Sequence, residues 1–367
     1  MAAETEKVLR PRHRMTAKTI ADLPRLVDAL PDQERRRFER LFEVTVSDGR
    51  LVAPPAMRPW IERQFGSIEG VERQRIVRVV NRWTYDGALF NPLRARRPTP
   101  AGTGELEHDI EAARGDAFCQ PDNATPADVF GRVRGHSSIT AANVAKYEGW
   151  CAVIVFDAHH PLHLTEAGVD DAIQTAWRWG QQVHKADPGA RYWFFMWNCL
   201  WRAGASIVHG HAQAAATRGS HFPYVERWRA AARRYGRSYF DDLYQAHHSL
   251  DFGFERFGIR VLAHLTPLKE KETLLIAPSL GPELRRAVFL ALATFTRDLG
   301  VTSFNLGLYH RPLGRPTWPN FPVIVRLVDR GDASVRNSDI GAMELFAASI
   351  VSSDPFDVAA ALRRSFG

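Results

Sequence analysis

The chain has 367 residues, 45% of them hydrophobic and 24% charged, with a formal net charge of +7. That is the composition of a folded globular protein of two or three domains, or of one internally duplicated domain. No run approaches the ~20 apolar residues of a membrane helix, and the N-terminal MAAETEKVLRPRHRMTAKT carries no apolar signal-type segment. Cys119, Cys151 and Cys199 are odd in number and widely spaced, so no disulfide framework is expected. A cytoplasmic protein with no membrane partner follows.

Only six of the basic residues are Lys. Arginine suits bidentate phosphate recognition, but apart from residues 34–40 and an RARRP segment the basic residues are dispersed. Nucleic-acid binding, which needs them clustered on one face, is not expected.

Residues 1–85 carry apolar residues at three- and four-residue spacing in TIADLPRLVDAL, DQERRRFERLFEVTV, MRPWIERQF and EGVERQRIVRVVNRW. This predicts a helical N-terminal extension punctuated by proline. From Gly87 the pattern turns to alternating β and α. WCAVIVF (150–156) and RYWFFMWNCLW (191–201) read as strands around an amphipathic helix at 170–186. The order then recurs, with strands in 261–278, a helix over 281–300, and strands at 303–310 and 321–331. The expected fold is α+β: two duplicated units, 86–220 and 221–367, with mainly antiparallel sheet flanked by helices.

The chemistry concentrates in Asn198-Cys-Leu-Trp-Arg-Ala-Gly204-Ala-Ser206-Ile-Val-His209-Gly-His211-Ala-Gln213. If SIVHGHAQAAA is a strand, His209, His211 and Gln213 project from one face, and Gly210, Ala212 and Ala214 from the other. A solvent-facing edge strand would account for three aligned polar groups. The neighbouring Trp193, Phe194, Phe195 and Trp197 favour a buried sheet, where such groups must be paired or functional.

This run resembles the histidine triad superfamily, in the galactose-1-phosphate uridylyltransferase-like branch whose motif is His-x-His-x-Gln. Asn198, Gly204 and Ser206 stand at that branch's spacing before His211. Asn91-Pro-Leu-Arg94-Ala-Arg-Arg97-Pro, Phe118-Cys119-Gln-Pro-Asp-Asn123-Ala-Thr-Pro126, VIVFDAHHPLHL (153–164) and residues 341–363 resemble further segments of it. The resemblance covers about residues 86–364.

It implies a nucleotidyltransferase or phosphorylase acting on a nucleoside diphosphate sugar or dinucleoside polyphosphate. His211 would be the nucleophile, forming a covalent nucleotidyl-histidine in a ping-pong reaction with a phosphate-bearing acceptor. Gln213 and Ser206 would assist at the phosphoryl oxygens, and Asn198, Gly204, Arg94 and Arg97 would bind substrate. A glutamine cannot protonate a leaving group, which favours phosphate leaving groups. A structural zinc is implied on Asp116, Cys119, His160 and His209, with His159 the rival of His160; the alternative is a buried Cys119 beside a hydrogen-bonded His209, without metal. The branch's Lys- and Tyr-bearing hexose loop has no counterpart in Asn337-Ser-Asp-Ile-Gly341-Ala342-Met-Glu344, so galactose 1-phosphate is not supported as a substrate. A hydrolase of the same compounds and a catalytically idle nucleotide-binding scaffold are the competing readings. A homodimer is the candidate assembly.

Overall fold

The computed structural model describes residues 18–96, 105–315, 317–335 and 340–367. Thirteen strands occur among them: β1 (Phe42–Arg50), β2 (Arg73–Asn81), β3 (Gly87–Phe90), β4 (Ser138–Ala142), β5 (Trp150–Phe156), β6 (Tyr192–Cys199), β7 (His211–Thr217), β8 (Gly253–Arg256), β9 (Ile259–Ala263), β10 (Thr273–Ala277), β11 (Phe304–Tyr309), β12 (Val323–Asp329) and β13 (Ser349–Val351). Nine form an antiparallel sheet in the order β4-β5-β7-β6-β11-β12-β10-β9-β8.

That order is a palindrome about its centre. Exchanging β4 with β9, β5 with β10, β6 with β11 and β7 with β12 leaves it unchanged apart from the extra edge strand β8. Each half is strand, strand, helix, strand, strand, with the helix Glu166–Ala186 in the first and Pro282–Ala293 in the second. The duplication expected from the sequence is therefore present, and the antiparallel β6–β11 pair joins its halves.

The two helices pack side by side on one face of the sheet. Val169, Ala172, Ile173, Ala176, Trp179 and Val183 recur at three- and four-residue spacing on the first helix and are all buried. Opposite them β7 offers only Ala212, Ala214 and Ala216. Gly180 is required here, because a Cβ would lie 2.4 Å from the Trp193 ring.

The other face is covered over the second half by the helices Pro223–Tyr235 and Tyr239–His248 and by N-terminal elements. Helices Leu23–Asp28, Asp32–Leu41 and Arg58–Phe65 occur in the N-terminal region as expected. The parts FEVTV and RQRIVRVVN, which were expected to extend helices, are instead the paired strands β1 and β2. In β2, Val77, Val79 and Asn81 are buried, whereas Arg78 between them is exposed; the two-residue alternation and β-branched side chains outweigh the helical spacing. These strands join β3, and β3 pairs in parallel with β13 from the far end of the chain. The N-terminal sheet is thus tied across residue 85 to the last 20 residues.

Candidate active site

β7 lies between β5 and β6, and its ladder fixes which residues share a face. His211 pairs with Val155, and Gln213 pairs with Val153 on one side and Met196 on the other. Both polar side chains point away from the helix layer. Extending the β6–β7 register by one same-face step sets Asn198 level with His211.

The expected strand begins at His211, five residues later than Ser206, where the sequence suggested it. His209 and Gly210 form a bend, and Gly210 presses against the turn after β5, where a Cβ would meet the Ala158 carbonyl oxygen at 2.7 Å. Two backbone bonds, Phe156 N–H to Gly210 O and Gly210 N–H to His159 O, fix that approach. The glycine of His-Gly-His therefore allows two chain segments to touch, and His209 faces a different set of partners from His211.

His211 is 6% exposed. Its Nδ1 lies 2.8 Å from the His209 carbonyl oxygen. A carbonyl only accepts, so Nδ1 carries the proton and the Nε2 lone pair is left free. Burial holds the ring below the usual histidine pKa, against the opposing effect of that carbonyl, so it is neutral at pH 7. Phe118 stands edge-on at 5.1 Å. Gln213 Oε1 accepts a hydrogen bond from the Tyr147 hydroxyl at 3.3 Å, leaving the two amide N–H groups of Gln213 as its remaining donors. Burial raises the Tyr147 pKa, so the phenol keeps its proton. Sequence reasoning missed Tyr147, because nothing in its local pattern links it to a strand 66 residues away.

A second cluster lies beside the first. Cys119 Sγ is 3.5 Å from His159 Nδ1 and 3.4 Å from His209 Nδ1, and the two nitrogens are 3.1 Å apart. These spacings match the edges of a tetrahedron with metal bonds of roughly 2.0–2.3 Å. His159 Nε2 donates to Ile110 O (2.9 Å) and His209 Nε2 to Phe156 O (2.7 Å). Both rings therefore turn an unprotonated Nδ1 toward the centre, as ligand histidines do. Asp116 Oδ1 caps the turn by accepting from the Phe118 and Cys119 N–H groups and lies 3.8 Å from His209 Nδ1. Its Oδ2 is buried with no hydrogen-bond partner. The donor set fits a metal.

His160 is not part of this set. Its Nε2 faces Glu107 (3.1 Å), its Nδ1 accepts from Leu162 N–H (3.2 Å), and its ring stacks on His163. Of two adjacent histidines in a turn, only the first points inward, and sequence spacing could not decide between them.

The expected substrate-binding residues are spread further. Gly204 closes the turn Trp201–Ala203 at φ +92°, with open space where a Cβ would stand, and Ser206 is exposed in the same loop. Asn198 Oδ1 accepts from Asn305 Nδ2 (2.7 Å), which also donates to Ala203 O (2.8 Å); Asn305 Oδ1 in turn accepts from Arg330. Arg330 lines a cavity of about 150 Å³ together with Arg94, Arg202, Lys269 and Glu344. Arg94 thus belongs to a cavity lined by basic and acidic side chains, Glu270 and Asp329 among them, and linked through Asn305 to the face that carries His211. Asn305 and Arg330 were not legible in the sequence because they come from the second half. Arg97, Asn337 and Asp339 lie outside the described residues.

The equivalent place in the second half is filled. Gln213, Met196, Gly307 and Arg326 form one row across four strands, so Arg326 mirrors Gln213 about the β6–β11 centre. It is 4% exposed, paired with Glu272 and set over the Trp228 ring. One half keeps an open polar face, and the other buries it under helices.

No protein-family model and no curated protein sequence matches the chain. Among solved structures it is similar to an ADP-glucose phosphorylase from Arabidopsis thaliana, with 19% identity, a TM-score of 0.58, and 76% of this chain aligned to 95% of that one. A GalT-like protein from the same plant aligns at 18% identity and a TM-score of 0.54, over 68% of this chain and 92% of that one. A uridylyltransferase aligns at 14% identity and a TM-score of 0.53, over 66% and 88%. At these identities the likeness is one of fold, which this chain shares with the phosphorylase, the GalT-like protein and the uridylyltransferase. No helix among the described residues is long and apolar enough to cross a membrane.

Proposed function

We propose that the protein is a nucleotidyltransferase or phosphorylase that passes a nucleoside monophosphate through His211 between a nucleoside diphosphate sugar or dinucleoside polyphosphate and a phosphate-bearing acceptor. The observation that carries this reading is the hydrogen bond from His211 Nδ1 to the His209 carbonyl. It leaves a neutral, buried imidazole with its Nε2 lone pair available on the face that Gln213 shares.

His211 Nε2 attacks the α-phosphorus, and the bond from that phosphorus to the bridging oxygen breaks, with its electron pair leaving on the departing phosphate. The ring becomes cationic, and the Nδ1–H bond to the carbonyl stabilises it. A phosphate oxygen of the acceptor then attacks the same phosphorus, and the N–P electron pair returns to Nε2. No proton is needed from the residue two places on, so a glutamine suffices there. Its amide N–H groups, held outward by Tyr147, meet charge developing on a non-bridging oxygen. Arg94, Arg202, Lys269 and Arg330 offer basic side chains to the distal phosphate or acceptor, and Asn198 holds the loop that leads to Ser206.

Asp116, Cys119, His159 and His209 would hold a structural zinc, which when bound supplies rigidity to the turn and leaves no open coordination position. The carbonyl of His209 orients the nucleophile, so the residue that anchors this cluster also positions the reacting ring.

A phosphate or sugar-phosphate acceptor predicts exchange: a labelled leaving phosphate should enter unreacted donor without any second substrate. Donor consumption with no exchange and with release of free nucleoside monophosphate would instead make the protein a hydrolase.

A further inference from the structure

The active face does not account for the molecule's other basic concavity. The helix Pro223–Tyr235 carries Arg229 and Arg233, and Arg237 follows two residues beyond its end; all three line a cavity of about 470 Å³. Phe240 and Trp318 line it as well, with Asn320 at a left-handed turn (φ +62°). Two observations mark it as built for an anion.

The first is uncompensated charge. Nearby carboxylates are already engaged: Glu226 with Arg229 (2.8 Å), Asp241 with Arg260 (2.6 Å) and Asp242 with Arg37 (3.1 Å). Arg233 and Arg237 have no carboxylate partner among the described residues, although they share a wall of the cavity. The second is an orphan donor. Trp318 is 4% exposed, and its indole N–H is buried without an acceptor, a costly state unless a ligand or water supplies one. Arg229 is held over the Trp318 ring at 4.5 Å, so its guanidinium borders the cavity beside those of Arg233 and Arg237.

We infer that this cavity is a second, non-catalytic site for a nucleoside polyphosphate, with the phosphates on Arg233 and Arg237 and the nucleoside beside the Arg229 guanidinium that covers Trp318. Its volume lies in the range of small-ligand pockets. It is separate from the reaction centre: β7 alone, from His211 to Thr217, spans roughly 20 Å, and the chain then enters the helix that carries Arg229 and Arg233. The inference does not depend on the transferase reading.

Hydrogen exchange of the full chain with ADP, UDP, tripolyphosphate or adenosine tests it. ADP or UDP, and tripolyphosphate, should slow exchange over residues 229–240 and 317–322, whereas adenosine should not. The exposed pair Arg233→Ala/Arg237→Ala should weaken this protection about tenfold per arginine without altering protection around His211. Trp318→Phe, which keeps an aromatic ring under Arg229 but removes the N–H, should weaken it without abolishing it. Absence of protection by nucleotide, protection unchanged in the double variant, or protection by tripolyphosphate alone would overturn the assignment.

Discussion

The two rings of His-Gly-His do different work because one glycine lets the chain bend between them. His209 turns into the cluster with Cys119 and His159, and His211 opens β7 with its Nδ1 tied to the His209 carbonyl. Replacing His159 by Ala should therefore strip bound metal, read by elemental analysis of purified protein, whereas His160→Ala should leave metal content unchanged. Equal loss in both would return His160 to the ligand set. At the neighbouring position, Tyr147→Phe removes the bond that orients the Gln213 amide. We expect kcat to fall about tenfold with little change in KM, since the amide matters most as charge develops. A change confined to KM would place Tyr147 in substrate binding alone.

At the scale of elements, the site depends on how closely the helix Glu166–Ala186 approaches the sheet. Gly180→Ala sets a Cβ against Trp193 and should cost about 1–3 kcal/mol by chemical denaturation. Unchanged stability would mean that the helix shifts freely. The strands and helices around the active face were legible in the sequence because each has one clear periodicity, as in WCAVIVF and the helix before RYWFF. The residues of β1 and β2 were not: stretches with valines among polar residues that run on from helical segments fit both periods, and only the pairing of β1 with β2 and of β2 with β3 decides. The placement of His211 and Gln213 on one face of β7 and most of the second cluster were legible from spacing. The choice of His159 over His160, and the contributions of Tyr147, Asn305 and Arg330, come from turns and distant strands that spacing does not encode.

At the scale of the whole molecule, duplication produced one open and one closed face. The closed half is held by rings that work only when neutral. His247 donates from Nδ1 to Leu243 O and accepts at Nε2 from Leu265 N–H, and His221 accepts from Phe222 N–H while donating to Trp193 O. Burial lowers the pKa of His221, His247 and His310 to about 4. The unfolded chain binds these protons first, so the contribution is complete above pH 6.5 and is lost as pH falls toward 4. Each ring amounts to about 3 kcal/mol across that window. The melting temperature should fall steeply between pH 6.5 and 4, and His247→Gln should flatten that fall; an unaltered slope in the variant would contradict the role given to this ring.

The central claim is that His211 carries a nucleotide. Intact-protein mass, measured after mixing the chain with nucleoside diphosphate sugars and dinucleoside polyphosphates but no acceptor, tests it most directly. The account predicts an acid-labile gain of one nucleoside monophosphate, absent in His211→Ala and discharged by a phosphate-bearing acceptor. A folded protein that binds these compounds and gains no mass, or an adduct that survives in His211→Ala, would contradict it.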